Sequence, residues 1–205
     1  MNNWEKAAEI LKQGGVVIIP TDSSYGIAAL ANNSLAVKRV YEIKGREANK
    51  PSLLIVGSLD QARKLAEFTP LAEDLARKYW PGGLTLILNA KKLDLPLKVY
   101  GTNSTPVTYA HLGGVTRRTL AIRLPGRKEL TDLALGIGPF ILPSANFSGE
   151  TPPVSAQEVN SELIGKVDLF LDEPTDGNIV STLLDARSEK PVILRNGSVR
   201  VEVKS

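Results

Sequence analysis

Short apolar runs alternate with amphipathic stretches along most of the chain, which predicts a layered α/β protein. The first amphipathic stretch spans Trp4 to Gln13, with Trp4, Ala7, Ala8 and Leu11 on one stripe and Gly14-Gly15 as its stop. Val16–Ile19 is apolar at every position, as a strand covered on both faces requires. A second helix is predicted over Ser34–Ile43 and a strand over Leu53–Val56. Ser58 and Gln61 stand at capping-box spacing before a helix reaching Phe68, and Thr69-Pro70 opens the next one. Pro81-Gly82-Gly83 turns the chain into a strand at Leu84–Leu88. Further strands are predicted at Leu120–Leu124, Phe140–Leu142, Val167–Leu171, Ser181–Leu184 and Val192–Leu194. One helix is expected near Glu129–Leu135, and another opened by a box at Ser155 and Glu158. Lys91–Thr119 fits neither period; rich in Thr, Gly, Lys and Arg, it reads as a long surface excursion or a twisted hairpin.

At 205 residues, 42% of them apolar, the chain can bury a core without disulfides or metal. No repeat, low-complexity linker or shift in composition divides it, so a single domain over 1–205 is expected. The absence of cysteine and the single histidine, His111, exclude thiol catalysis, disulfide scaffolds and zinc fingers. No stretch approaches the roughly 18 apolar residues of a membrane span. The opening Met-Asn-Asn-Trp-Glu-Lys has no apolar signal core, so a cytoplasmic protein with no membrane partner is expected. Without export, the Asn-x-Ser/Thr triplets at Asn32, Asn103, Asn146 and Asn196 read as chance matches.

Several catalytic classes fall away on inspection of the motifs. No G-x-S-x-G elbow accompanies His111, so a Ser-His-Asp hydrolase is disfavoured. Neither a Walker loop nor a G-x-G-x-x-G turn is present. What remains are polar and basic segments beside the strands, where open α/β sheets bind ligands. Pro20-Thr21-Asp22-Ser23-Ser24-Tyr25-Gly26 is a hydroxyl-rich loop suited to close approach, although it reads equally as an ordinary turn. Lys44, Arg46 and Lys50 form a cationic group able to clamp phosphate oxygens. Taken alone, they are also what the solvated C-terminus of a helix would carry. Ser144 and Asn146 alternate with apolar neighbours and point the same way if the chain is extended. Ser181, Arg123 and Arg195 each stand at a strand end and are individually weak signals.

In order along the chain, these segments resemble the YrdC-like family, the threonylcarbamoyl-AMP synthases. The resemblance is carried by PTDSSYG, KGREANKP, WPGGLTLIL, AIRLP and PSANFSGETP, with VDLFLD, VSTLLD and VILRNG as closing strands. It spans about residues 4 to 199. It implies an α/β fold, a twisted open mixed sheet with flanking helices and a concave basic cleft. The implied reaction makes L-threonylcarbamoyl-adenylate and pyrophosphate from L-threonine, bicarbonate or CO2, and ATP, toward threonylcarbamoyladenosine in tRNA. The family's catalytic tetrad falls on Lys44, Arg46, Ser144 and Asn146. Together with Lys50 and Arg195 these would hold ATP, while Thr21, Tyr25, Arg123 and Ser181 would hold threonine. No resident metal is implied; Mg2+ would arrive on the phosphates of ATP. The implied partners are tRNA, or double-stranded RNA, and a downstream threonylcarbamoyl transferase complex.

The chain also departs from the family pattern. Ser23-Ser24 replaces a Thr-Val pair, Asp172-Glu173-Pro174 stands where Gly-Gly is common, and Val154 where threonine is. The excursion over 91–119 is long for the family, and the chain reads as its single-domain form. Two rivals remain: a paralogue of the same fold with another activity, and an RNA-binding module using the same cleft. Charge distribution favours an anionic ligand. Residues 38–50 hold five basic and two acidic side chains and residues 117–129 five and one, so a chain of net charge +3 is acidic elsewhere.

Overall fold

A computed structural model describes residues 2–47, 51–92, 95–96, 99, 118–177 and 179–202. The chain begins with helix α1 (Asn3–Lys12), whose N-terminus is closed by a reciprocal box between Asn2 and Glu5. Strands β1 (Val17–Pro20) and β2 (Tyr25–Leu30) form a hairpin leading into α2 (Ser34–Lys44). Next come β3 (Leu53–Ile55), α3 (Leu59–Leu65), β4 (Ala66–Glu67), α4 (Pro70–Tyr79) and β5 (Leu84–Ala90). The second half contains β6 (Thr119–Arg123), α5 (Lys128–Ile137), β7 (Phe140–Ile141), α6 (Ser161–Ile164), β8 (Leu169–Phe170), β9 (Thr182–Asp185) and β10 (Val192–Arg195).

Among the described residues the strands form one mixed sheet in the order β10-β9-β5-β6-β3-β7-β2-β1-β8, with β4 on the far end of β5. The pairs β1/β8, β3/β6 and β5/β9 are parallel and the others antiparallel. This is the mixed sheet with flanking helices that the resemblance implied. No helix among the described residues is long and apolar enough to cross a membrane.

Strand alternation divides the interior into two cores. Val16, Ile18, Ile27, Leu54, Leu86 and Ile122 face the helices α2, α3 and α4. Val17, Ile19, Ala28, Ile55 and Phe140 face the other way, under Ala7 and Leu11 of α1 and Leu130 and Leu133 of α5. Those two helices cover only part of the second face. Thr85, Ala121, Arg123 and Leu183 share that face's parity farther along the sheet, where they line an open cavity.

Three readings of the sequence are corrected, and a fourth falls outside the described residues. The strand β2 lies at the heart of the sheet yet goes unpredicted, because Gly26, Ala28 and Ala29 have low strand propensity. Gly26 is required by packing, since a Cβ there would fall 2.7 Å from the Leu142 side chain. Helix α3 stops at Leu65 rather than Phe68, because Ala66 and Glu67 turn extended and pair with Ala90 and Asn89. Ser155 and Glu158 open only a 3-10 turn at Ala156–Glu158; Glu158 accepts from Val154 N instead (2.9 Å), and Asn160 caps α6. Finally, most of the 91–119 excursion, with His111, lies outside the described residues.

Candidate active site

The cavity over the uncovered half of the second face has a volume of about 260 Å³. Its floor comes from β3, β5 and β6, and its rim from the loop after β1, the end of α2, the exit of β7 and the entry of β9.

One end is organised around a buried ion pair. Arg123 donates from Nη2 to Asp22 Oδ2 (2.7 Å) and from Nε to Gly82 O (2.9 Å). The Pro81-Gly82-Gly83 turn thus presents a carbonyl to the guanidinium. Asp22 Oδ2 also accepts from Gly126 N (3.1 Å), while Oδ1 is buried and has no partner among the described residues. Burial lowers the Arg123 pKa; Asp22 opposes that shift and Arg195 adds to it. Thr21 closes the same loop on itself. Its hydroxyl donates to Ser24 O (2.7 Å) and accepts from Ser23 N (3.0 Å) and Ser24 N (3.2 Å). Tyr25 contributes to the cavity wall, but its ring packs on Phe170 in the first core and its hydroxyl donates to Glu173 O. Desolvation, with Asp172 nearby, raises the pKa of that hydroxyl.

Across the floor, Thr85 Oγ1 lies 2.8 Å from Ser181 Oγ. Arg195 forks onto the same residue, Nη2 and Nε reaching Ser181 O at 2.9 and 3.1 Å and Nη2 reaching Oγ at 3.2 Å. Desolvation depresses the pKa of Arg195 as well.

The opposite end is built on Lys44. Helix α2 ends there because Gly45 adopts the left-handed conformation (φ 59°), and the reversal brings Arg46 to the cavity beside Lys44. Lys44 Nζ, on a residue only 2% exposed, donates to Ser144 O and to Asn146 O (2.5 Å). Burial, reinforced by Arg46 and opposed by Glu150, lowers its pKa to about 8. An ammonium has three donors, and two of them are used among the described residues. Arg46 donates to Pro51 O (2.9 Å) and stacks over Tyr41 at 5.9 Å. Asn146 Nδ2 ties Phe147 O and Glu150 O (2.8 and 2.9 Å), leaving its buried Oδ1 unpartnered among the described residues.

Of the residues singled out in the sequence, Thr21, Tyr25, Arg46, Arg123, Ser144, Ser181 and Arg195 meet at this one cavity. Lys44 and Asn146 stand one layer behind its wall, joined to it through the Ser144–Asn146 backbone. Lys50 lies outside the described residues. Asp22 and Thr85 were not singled out. Asp22 sat in plain view inside PTDSSYG, whereas Thr85 is identifiable only from strand parity.

The family model Sua5_yciO_yrdC, described as "Telomere recombination", matches residues 9–197. The chain belongs to this Sua5/YciO/YrdC family. The threonylcarbamoyl-AMP synthase of Pyrococcus abyssi is 35% identical over 199 residues, covering 96% of this chain and 54% of that protein. The enzyme of the same name from Bacillus subtilis is also 35% identical, over 200 residues, with the same coverage of both chains. This chain thus spans about half the length of those two relatives. Among solved structures, P. abyssi Sua5 complexed with L-threonine superposes with a TM-score of 0.80 at 34% identity. That match covers 95% of this chain and 54% of the other. Escherichia coli YciO, at 23% identity, shares the fold with a TM-score of 0.79 over 95% of this chain and 88% of its own.

Proposed function

We propose that the protein is an L-threonylcarbamoyl-AMP synthase, taking L-threonine, bicarbonate and ATP to threonylcarbamoyl-AMP, pyrophosphate and water. The observation carrying this reading is the convergence of Arg46, Arg123 and Arg195 on one cavity whose remaining polar lining, apart from the Asp22 carboxylate paired with Arg123, is hydroxyl-rich. The reaction brings together two anions, the carbamate of threonine and the α-phosphate of ATP. The carbamate oxygen attacks phosphorus, and the bond to the leaving pyrophosphate breaks in line. Arg46 and Arg195 offset the repulsion and stabilise charge on the transferring group without a covalent nucleophile, while the charge of Arg123 is shared with Asp22.

The two ends of the cavity divide the work. Arg46, the Lys44 ammonium and the Ser144 hydroxyl suit the triphosphate. Asn146, behind the wall, is assigned to the nucleotide through the Ser144–Asn146 backbone, which it stiffens by bonding Phe147 O and Glu150 O. Lys50 and Arg195 are assigned to the same nucleotide. Arg123 suits the threonine carboxylate, with Ser181, Thr21 and Tyr25 shaping the rest of the amino-acid site. Mg2+ enters as part of the ATP substrate, held by its phosphates. The product is an activated carbamate awaiting an amine acceptor, which supports a place ahead of a threonylcarbamoyl transferase complex acting on tRNA in the cytoplasm.

The deciding measurement is pyrophosphate release from ATP. It should depend on both threonine and bicarbonate, and should be lost in the Lys44→Ala/Arg46→Ala pair. Release without threonine would assign another acceptor, as for a paralogue. Salt-sensitive binding of tRNA or double-stranded RNA without turnover would instead make the protein an RNA-binding module.

A further inference from the structure

Residues 172–177 run as an irregular segment along the outer side of the Thr21–Tyr25 loop, and one buried side chain holds the segment there. Arg127, whose side chain is 8% exposed, donates to Pro174 O (2.7 Å) and Asp176 Oδ1 (3.3 Å). Its guanidinium also lies 3.7 Å from Glu173 Oε2, 3.5 Å from Glu129 Oε2 and 5.5 Å from the centre of the Trp4 ring. Glu173 is gripped from the other side by Trp4 Nε1 (2.9 Å) and Asn3 Nδ2 (3.3 Å). The segment in turn holds the loop. Glu173 O accepts from the Tyr25 hydroxyl, Asp176 N donates to Thr21 O (3.2 Å), and a Cβ on Gly177 would lie 3.1 Å from Asp22 O. Arg127 also follows Gly126, whose N–H donates to Asp22.

We propose that Arg127 is a positioning residue for the amino-acid end of the cleft, acting through the 172–177 segment on the Thr21–Tyr25 loop. The inference rests on the reading of that end as the threonine site. Without the guanidinium, Glu129, Glu173 and Asp176 lose the cation they share, and their repulsion loosens the segment. The loop then loses its backing, and with it the Asp22 carboxylate that sets the rotamer of Arg123. The nucleotide end has a brace of its own, Lys44 on the Ser144 and Asn146 carbonyls, and meets the loop only at its last residue, where Ala145 N donates to Tyr25 O (2.8 Å). A single substitution therefore separates the two substrates.

In steady-state kinetics, Arg127→Leu should raise the KM for threonine roughly tenfold or more, leaving the KM for ATP within about twofold. Arg127→Lys keeps the charge but lacks the fork, so it should fall between wild type and Arg127→Leu. Amide hydrogen exchange provides a readout independent of turnover. Exchange should quicken at 21–25 and 172–177 in Arg127→Leu, and stay at the wild-type rate at Arg46 and Ser148, whose amides are bonded to Tyr41 O and Lys44 O. Should Arg127→Leu not fold, Arg127→Lys and Glu173→Gln carry the same pattern at smaller amplitude. Two KM values rising in parallel, or unchanged exchange at 21–25, would overturn the proposal. A wild-type protein indifferent to threonine would refute the synthase reading, while the exchange pattern would still decide whether Arg127 holds the loop.

Discussion

Asp22 Oδ2 sits 2.7 Å from Arg123 Nη2, and both side chains are withdrawn from solvent, at 14% and 7% exposure. Each is the other's condition for being there: either charge alone in this position would face a desolvation cost with nothing to offset it. Asp22→Ala should therefore destabilise the fold by about 3–5 kcal/mol in urea unfolding. An Asp22→Ala/Arg123→Met double variant should recover most of that loss, because no uncompensated charge remains. A double variant as unstable as the sum of the two singles would show that the pair does not act as a unit.

Lys44 predicts a pH dependence of nucleotide binding. With its pKa lowered to about 8, the ammonium becomes a neutral amine as the pH rises through that value. The KM for ATP should climb above pH 8, and this limb should vanish in Lys44→Arg, which stays charged throughout. Stability should move the other way. The folded-state pKa lies below the ordinary 10.5, so the buried charge costs stability below pH 8, and that cost is relieved between pH 8 and 10.5. Unfolding midpoints measured across that interval for wild type and Lys44→Arg would expose the difference.

Gly197 is the point where the chain after β10 crosses the entry of β9. A Cβ there would lie 2.2 Å from Val180 O and 2.4 Å from the carbonyl carbon of Ser181. Both are backbone atoms and cannot rotate away. Gly197→Ala should cost roughly 1–3 kcal/mol by overpacking. It should also shift Ser181 from under the Arg195 fork, so the KM for threonine rises together with the loss of stability seen in thermal melts.

Thr85→Val tests the floor of the cavity. It keeps the side chain's shape and removes the hydroxyl 2.8 Å from Ser181 Oγ. The net loss expected for one such bond is about 1 kcal/mol, because Arg195 Nη2 still reaches Ser181 Oγ at 3.2 Å. Calorimetric titration with threonine in the presence of ATP should show weaker binding of the amino acid. Unchanged affinity would exclude Ser181 orientation from the binding energy.

By itself, the amino-acid sequence determined where the α/β elements begin and end wherever local chemistry suffices. Asn33 and Thr69 cap their helices, Gly45 ends α2, and Val17–Pro20 is buried on both sides as its unbroken apolar run requires. The ordered motifs also named most of the side chains that meet at the cavity. The sequence could not supply the relations between distant segments. That Lys44 is bonded to carbonyls a hundred residues later, that Thr85 faces Ser181, and that Arg127 braces Glu173 and Asp176 all depend on sheet order and register. The low-propensity β2 strand is itself a tertiary outcome, held between β1 and β7 where neighbours decide its conformation. Local chemistry acts over a few residues along the chain. The cavity exists because α1 and α5 cover one part of a sheet face and leave the rest open, which only the packed structure decides.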